Sequence, residues 1–164
     1  MPDVICDTSP FQYLHQLELL HLLPALAGQI IVPPAVVEEL AVGRARGVAL
    51  PDVEVLDWIR IRRPIATSAL PLINDLGGGE ASVLALALEA EDAVVILDDG
   101  PARYVAETLG LKLTGTLGIL LQAKRAGLIP ATAPLLEQLE ALRFRLAPHT
   151  RDAVLKLAGE VGPS

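Results

Sequence analysis

The stretch AVVILDDGP, residues 93–101, determines the fold class that this chain is predicted to have. Its first five residues are uninterrupted and aliphatic, which suits a strand buried between layers of helices. The strand ends in two carboxylates, Asp98 and Asp99, and Pro101 then provides a first helical residue. We therefore predict a strand over Ala93–Leu97 with acidic side chains at its carboxyl end.

The N-terminus repeats this arrangement of strand, acid and helix. Residues 4–6 are a short apolar run that ends at Asp7, and Ser9 and Pro10 form an N-cap and N1 pair. The leucine spacing then predicts one helix up to Gly28. The next predicted elements are a strand over Gln29–Val32 and a helix that starts at Pro33–Pro34, continues to about Val42 and is stopped by Gly43.

The remaining segments continue to alternate between strand and helix. They are a third strand within Val53–Arg63 anchored by Trp58, Ile59 and Ile61, a helix over 80–91, a helix from Pro101 to Leu109 closed by Gly110, a strand over Leu111–Thr114, a helix from Thr116 to near Gly127, and two short final helices. Connections too long for hairpins indicate parallel pairing through right-handed crossovers. We predict one domain over 1–164 with a three-layer α/β/α fold, a mostly parallel sheet of about five strands, and a C-terminal extension over about 133–160.

Composition limits the function classes. The chain has 164 residues, 52% hydrophobic and 3% aromatic, so its core must be aliphatic. A formal charge of -7 argues against a passive nucleic-acid coat, which needs a basic surface, but not against a nuclease that concentrates carboxylates around cations. Cys6 is the only cysteine, which excludes an internal disulfide and fits the cytoplasm. No apolar run approaches the roughly 18 residues of a membrane span.

The acidic residues are predicted to meet at one edge of the sheet. In open parallel sheets the crevice lies beyond the carboxyl ends of the strands, where Asp7 and Asp98–Asp99 fall. Glu80 follows three glycines and begins a helix, and the glycines are expected to form a tight loop that delivers it to the crevice. Helical geometry lets at most one of Glu38 and Glu39 face the crevice. We favour Glu39, and the pattern leaves Glu38 open.

Gathered carboxylates suit one kind of chemistry. Hard cations such as Mg²⁺ and Mn²⁺ take oxygen ligands and rarely need histidine. Such a cation lowers the pKa of an attacking water and stabilises charge on a phosphodiester. The pattern therefore favours metal-dependent phosphodiester hydrolysis without a protein nucleophile.

Four segments resemble PIN domains in order and spacing: VICDTSP at 4–10, VPPAVVEEL at 32–40, GEASVLALA at 79–87 and VVILDDGPAR at 94–103. The segment LTGTLGILLQAKRAGLI at 113–129 is similar to the closing strand and helix of a PIN branch related to toxins of toxin–antitoxin pairs. The resemblance implies an RNA-cleaving enzyme dependent on Mg or Mn, RNA as substrate, a homodimer and an antitoxin-like protein partner. It implies these metal-site and catalytic residues: Asp7, Glu39, Glu80, and Asp98 or Asp99, with Thr8, Ser9 and Thr116 in support.

Two features depart from that pattern or remain open. Gly100–Pro101 stands where this branch is expected to have basic residues, and the fourth acid is ambiguous, with Asp99 favoured as the ligand and Asp98 retained. Arg103 is a weak substrate-binding candidate, expected mainly to pair with Asp99. Three basic clusters are RNA-contact candidates for which a solvated surface is the favoured interpretation: Arg44 with Arg46, Arg60 with Arg62 and Arg63, and Arg143 with Arg145.

Other functions fit less well. The GGGE segment lacks the Lys–Ser/Thr ending of a P-loop. An aspartyl phosphotransferase would need a second Asp two residues after Asp7, and a receiver domain would need a phosphoacceptor strand in mid-sequence. The histidines lack metal-ligand spacing, and His21 is expected to be a buried structural residue. A catalytically silent PIN-like module that binds RNA or protein remains the alternative function.

Overall fold

The computed structural model describes residues 2–65, 73 and 75–160. Its centre is a five-stranded, fully parallel sheet with strand order β3-β2-β1-β4-β5. The strands are β1 (Asp3–Cys6), β2 (Ile30–Val32), β3 (Ile59–Ile61), β4 (Ala93–Ile96) and β5 (Lys112–Thr114). The predicted α/β/α class and parallel sheet are confirmed, while the ends of the domain predicted over 1–164 lie outside the described residues.

Helices connect these strands and continue after the last one. They are α1 (Thr8–Gln16), α2 (Leu22–Ala27), α3 (Pro34–Ala45), α4 (Gly78–Glu89), α5 (Gly100–Thr108), α6 (Thr116–Arg125), α7 (Ala133–Ala141) and α8 (Pro148–Leu157), with a 3-10 turn over Val53–Val55. Most predicted boundaries lie within two residues of these. The core is aliphatic, as the composition requires. It includes Ile5 from β1, Val95 from β4 and Leu97, which directly follows β4.

The strand order reverses at β1. This strand pairs with β2 on one side and with β4 on the other, and Ile5 aligns with both Ile31 and Val95. The backbone N–H of Asp7 donates to the carbonyl of Ile96 at 3.0 Å, so the ends of β1 and β4 lie side by side. Crossovers that leave two such strands in opposite directions open a crevice between them. The sheet thus provides the crevice at Asp7 and Asp98.

The single helix predicted up to Gly28 is wrong. Two helices, α1 and α2, occupy this stretch, and Glu18 between them has φ 60°, which an α-helix cannot accommodate. Leucines recur across the break because residues of both helices pack into the same core, so their spacing does not reveal it. His21 is exposed at the start of α2, not buried as expected.

Two further expectations fail around α3. This helix continues through Gly43 to Ala45, and a Cβ at Gly43 would collide with Leu50 Cδ1, so the glycine serves packing instead of ending the helix. The third strand covers only Ile59–Ile61, because Val53–Val55 forms the 3-10 turn. Ile61 is 47% exposed on this edge strand and is not an anchor. In the described ranges, no helix has the length and apolar character needed to cross a membrane.

Candidate active site

A cavity of about 550 Å³ opens at the carboxyl ends of β1 and β4. We call it the acidic cavity. The residues predicted for the metal site come together here, although they lie far apart in the sequence. Its lining includes Asp7, Thr8, Ser9, Glu39, Glu80, Asp98 and Asp99.

Asp7 is the most enclosed carboxylate of the acidic cavity. It follows β1 directly and is 3% exposed. Its Oδ1 atom is buried and accepts no hydrogen bond from the part of the chain that the structure describes. Burial raises the pKa of Asp7 to about 7; the backbone N–H of Thr8 opposes this shift, and Glu80, Glu39 and Asp98 add to it by charge repulsion. Among the described residues, Asp7 is thus a carboxylate without a positively charged partner.

Asp98, at the end of the neighbouring strand, is held by several donors. Its Oδ1 accepts from the backbone N–H of Thr116 at 2.8 Å. Its Oδ2 accepts from the Thr116 hydroxyl at 2.7 Å and from the Ser9 hydroxyl at 3.1 Å. Thr116 is fully buried at the start of α6, so Asp98 also joins β4 to that helix. Two of the three predicted supporting residues, Ser9 and Thr116, therefore contact the same carboxylate.

Asp99 directly precedes α5 at the edge of the acidic cavity. Its Oδ2 accepts from the backbone N–H of Ala102 at 3.0 Å and caps α5. The residue is exposed and also lines the acidic cavity. Its Oδ1 accepts no hydrogen bond within the described ranges, so one oxygen of Asp99 remains available.

Glu39 reaches the acidic cavity from α3. Its Oε2 accepts from the Thr8 hydroxyl at 2.5 Å, and its Oε1 accepts from the backbone N–H of Gly79 at 3.0 Å. A Cβ at Gly79 would lie 2.6 Å from Glu39 Oε2, so only glycine allows the carboxylate to approach the start of α4 this closely. Glu38 lines a different surface cavity with Val37 and Ala41. The structure therefore places Glu39, and not Glu38, at the predicted site.

Glu80 lies in the first turn of α4. Burial raises its pKa, its own backbone N–H opposes the shift, and repulsion from Glu39 and Asp99 adds to it. The tight loop predicted for Gly77–Gly79 is wrong, because Gly78 and Gly79 already belong to α4. Gly77 and Gly79 instead leave room for the carboxylates of Glu80 and Glu39.

Arg103 does not form the predicted pair with Asp99. Its Nη1 donates to the backbone carbonyl of Leu97 at 2.7 Å, which fixes the end of β4. Arg103 lines a second cavity of about 340 Å³, which we call the side cavity. A helical spacing of four residues allowed the ion pair, but the carbonyl at the strand end is the acceptor that the guanidinium reaches.

The family comparison agrees with this geometry. A family model described as DUF3368, a PIN domain, matches residues 3–160. The chain belongs to the PIN-domain family. PIN domains are generally nucleases, so the chain belongs to a nuclease family. A comparison with curated proteins found no match.

Residues outside the predicted set also line the acidic cavity of this PIN domain. Gln12 and Tyr13 come from α1, and Arg143, Phe144 and Arg145 come from the connection between α7 and α8. The two arginines are visible in the sequence as a basic cluster, but nothing local distinguishes that cluster from a solvated surface. Their position depends on how the C-terminal helices pack.

The atoms that could bind a metal in the acidic cavity fit a hard divalent cation, because the charged ligand atoms near Asp7 are carboxylate oxygens. The buried Oδ1 of Asp7, which has no hydrogen-bond donor among the residues that the structure describes, is the atom that a cation would compensate best. Within the described residues, no three His, Cys, Asp or Glu side chains are already arranged to hold a metal ion. The carboxylates therefore gather around one cavity without forming a closed coordination sphere.

Proposed function

We propose that this PIN domain is a Mg²⁺- or Mn²⁺-dependent endoribonuclease that hydrolyses RNA phosphodiester bonds in the acidic cavity. The observation that carries the proposal is the buried Oδ1 of Asp7, which has no donor in the described chain and is surrounded by further carboxylates. An arrangement of this kind destabilises the fold unless a cation occupies it, and it persists more easily where function requires the charge.

Asp7 would hold the cation together with carboxylates from Glu39, Glu80 and Asp98 or Asp99. When bound, Mg²⁺ or Mn²⁺ supplies a water of lowered pKa and positive charge for the scissile phosphate. The chain itself orients the carboxylates. The hydroxyl of Thr8 and the backbone N–H of Gly79 hold Glu39, and Thr116 with Ser9 holds Asp98. Side chains held in this way need little rearrangement when substrate binds.

Cleavage of a panel of RNAs in the presence of Mn²⁺ tests the proposal. We expect Asp7→Asn to lower the rate about 100-fold or more, because it removes the negative charge at the centre of the site. Asp57→Asn is the matched control, because Asp57 is exposed and precedes β3 at the opposite edge of the sheet. Equal metal-dependent rates for wild type and Asp7→Asn would contradict the proposal.

One observation favours the second candidate, a PIN-like module that binds without cutting: within the described ranges, no closed metal-ligand cluster exists. Titration with Mn²⁺ separates the two functions. A nuclease site predicts saturable binding to wild type, a thermal stabilisation that grows with Mn²⁺ concentration, and loss of both in Asp7→Asn. A silent module with a lost site predicts none of these.

We extend the proposal to a toxin role, which the resemblance of residues 113–129 supports. Induced expression of the chain in a bacterial host should then arrest growth, while Asp7→Asn and host cells with an empty vector continue to grow. Growth arrest by Asp7→Asn at equal expression would show that toxicity does not depend on the acidic cavity.

A further inference from the structure

A basic and aromatic segment lies against the acidic cavity. It consists of Arg143, Phe144 and Arg145 in the connection between α7 and α8, and we call it the rim segment. Phe144 and Arg145 also line the side cavity, which shares Asp98 with the acidic cavity. The rim segment is therefore located where the two cavities meet, beside the predicted metal-site acids.

Arg143 occupies a backbone position that favours glycine. Its φ is 68°, and the N–H groups of Arg143 and Phe144 donate back to the carbonyls of Glu140 and Leu139, which closes the end of α7. The same position after α3, α5, α6 and α8 is glycine, with φ of 86°, 74°, 75° and 74° at Gly47, Gly110, Gly127 and Gly159, and after α1 it is Glu18 with φ 60°. An arginine at this position is strained relative to glycine. Its side chain is thus the property that distinguishes this helix end from the four that end at glycine.

The guanidinium groups of the rim segment have no partner among the residues that the structure describes. In the described part of the chain, neither Arg143 nor Arg145 forms an ion pair or a side-chain hydrogen bond. Both arginines are exposed, although several carboxylates line the same cavity. Interaction with the C-terminal dipole of α7 accounts for a positive charge at Arg143 but not for a second one at Arg145. As far as the described residues go, both cations are therefore free to bind an external anion.

The rim segment is nevertheless held in place. The ring of Phe144 packs edge-to-face on Tyr13 of α1, with centroids 4.9 Å apart and an interplanar angle of 87°. Arg151 of α8 donates to Glu140 of α7 at 2.5 Å, which joins the two helices on either side of the segment. A phosphate-binding group that is fixed before binding loses less entropy when the ligand arrives.

We propose that the rim segment binds single-stranded RNA next to the site of cleavage. Arg143 and Arg145 contact phosphates that flank the scissile one, and the cavity-facing side of Phe144 stacks on one base. The strand runs from the acidic cavity past Phe144 and Arg145 into the side cavity. This assignment rests on the proposed ribonuclease function and deepens it. Paired cations beside an aromatic ring match the chemistry of single strands, which offer both phosphates and unstacked bases.

Binding of a labelled 12-nucleotide single-stranded RNA, measured by fluorescence anisotropy in EDTA over a salt series, tests this assignment without cleavage. We expect Arg143→Gly to weaken binding about tenfold and to reduce the slope of log K against log salt by about 0.7, the value for one lost phosphate contact. Its melting temperature should equal or exceed that of wild type, because glycine relieves the strained φ. A merely structural Arg143 would change stability but leave binding unaffected.

Two further variants complete the design. Arg145→Gln should weaken binding by a similar factor, and the double variant by about 100-fold if the contacts are independent. Arg125→Gln is the control, since Arg125 is exposed in the last turn of α6, lines neither cavity, and changes the net charge by the same amount. Its affinity should remain within about twofold of wild type.

Cleavage in Mn²⁺ then distinguishes failure of this assignment from failure of the proposed function. If wild type does not cleave RNA but Arg143→Gly binds it about tenfold more weakly than wild type, the nuclease proposal fails and the rim assignment is supported. If wild type cleaves and Arg143→Gly raises KM with little change in kcat, both stand. If Arg143→Gly has the same affinity and KM as wild type, the rim assignment is overturned. It is also overturned if neither protein binds the RNA with measurable affinity.

Discussion

Two enclosed carboxylates in this PIN domain have opposite environments. Asp7 ends β1 in the acidic cavity, has a buried oxygen without a donor in the described chain, and has a pKa raised to about 7. Glu160 follows α8 and caps the start of α7. Burial alone would raise its pKa, but hydrogen bonds from the Thr132 hydroxyl, from the backbone N–H groups of Ala133 and Thr132, and from Lys124 lower it to about 2.

The difference shows that the neighbours of a buried carboxylate, more than its burial, indicate its role. Glu160 receives donors at 2.6 Å from the Thr132 hydroxyl and at 2.9 Å from the backbone of Ala133, so its charge stabilises the fold. Asp7 lies among other acids instead, so its charge opposes folding until a cation or a proton compensates it. The acidic neighbours of Asp7 therefore indicate a functional role for it, and the donors around Glu160 indicate a structural one.

The pH dependence of stability gives the largest expected contrast. Because the pKa of Asp7 is raised from 3.8 to about 7, its contribution favours the folded state below pH 3.8 and is lost as the pH rises through about 7. In EDTA, wild type should lose up to about 4 kcal/mol of unfolding free energy relative to Asp7→Asn over this range, at about 1.4 kcal/mol per pKa unit. Urea denaturation at a series of pH values measures it. Parallel pH profiles for the two proteins would contradict this assignment, and Asp57→Asn should follow wild type.

Truncation of Glu160 should have the next largest effect. Glu160→Ala leaves the buried donors of Thr132 unsatisfied and should lower the free energy of unfolding by about 3 kcal/mol at pH 7. The deficit should shrink as the pH falls from 4.5 toward 2, because a lowered pKa gives stability that is present above 4.5 and lost on acidification.

Glu137→Ala is the matched control for that substitution. Its carboxylate is 74% exposed and lies 3.9 Å from Arg151, so removal should change the free energy of unfolding by less than about 0.5 kcal/mol. Equal urea midpoints for the two alanine variants would show that Glu160 does not stabilise the fold as described.

The smallest effect is expected at Asp98, which shares the cavity with Asp7 but is satisfied by donors as Glu160 is. Thr116→Val removes the hydroxyl donor at 2.7 Å from Asp98 Oδ2 and keeps the side-chain shape, so it should cost about 1 kcal/mol of unfolding free energy. Thr108→Val, which removes an exposed hydroxyl bonded to the carbonyl of Tyr104 in α5, should have a smaller effect. A loss at Thr116 no larger than that at Thr108 would mean that Asp98 is not held by this contact.

The fold and the gathering of the acids could be predicted from sequence because both depend on local pattern and topology. Aliphatic runs ending at Asp7 and Asp98 specify strands, and parallel strands connected by right-handed crossovers place their carboxyl ends at one edge. The helix break at Glu18 could not be predicted in this way, since residues on both sides pack into one core and keep the same leucine spacing.

The sequence by itself thus determined a parallel α/β domain with carboxylates at the ends of β1 and β4. Tertiary structure alone decided which partner each polar side chain meets: Glu39 and not Glu38 faces the cavity, Arg103 binds the carbonyl of Leu97, and Arg143 reaches a site formed more than a hundred residues earlier at Asp7. The physical reason is that the two kinds of information depend on residues at different separations along the chain. Hydrophobic periodicity follows from neighbours three or four positions away, whereas hydrogen bonds and charge contacts depend on distances of a few ångströms that only the packed chain defines.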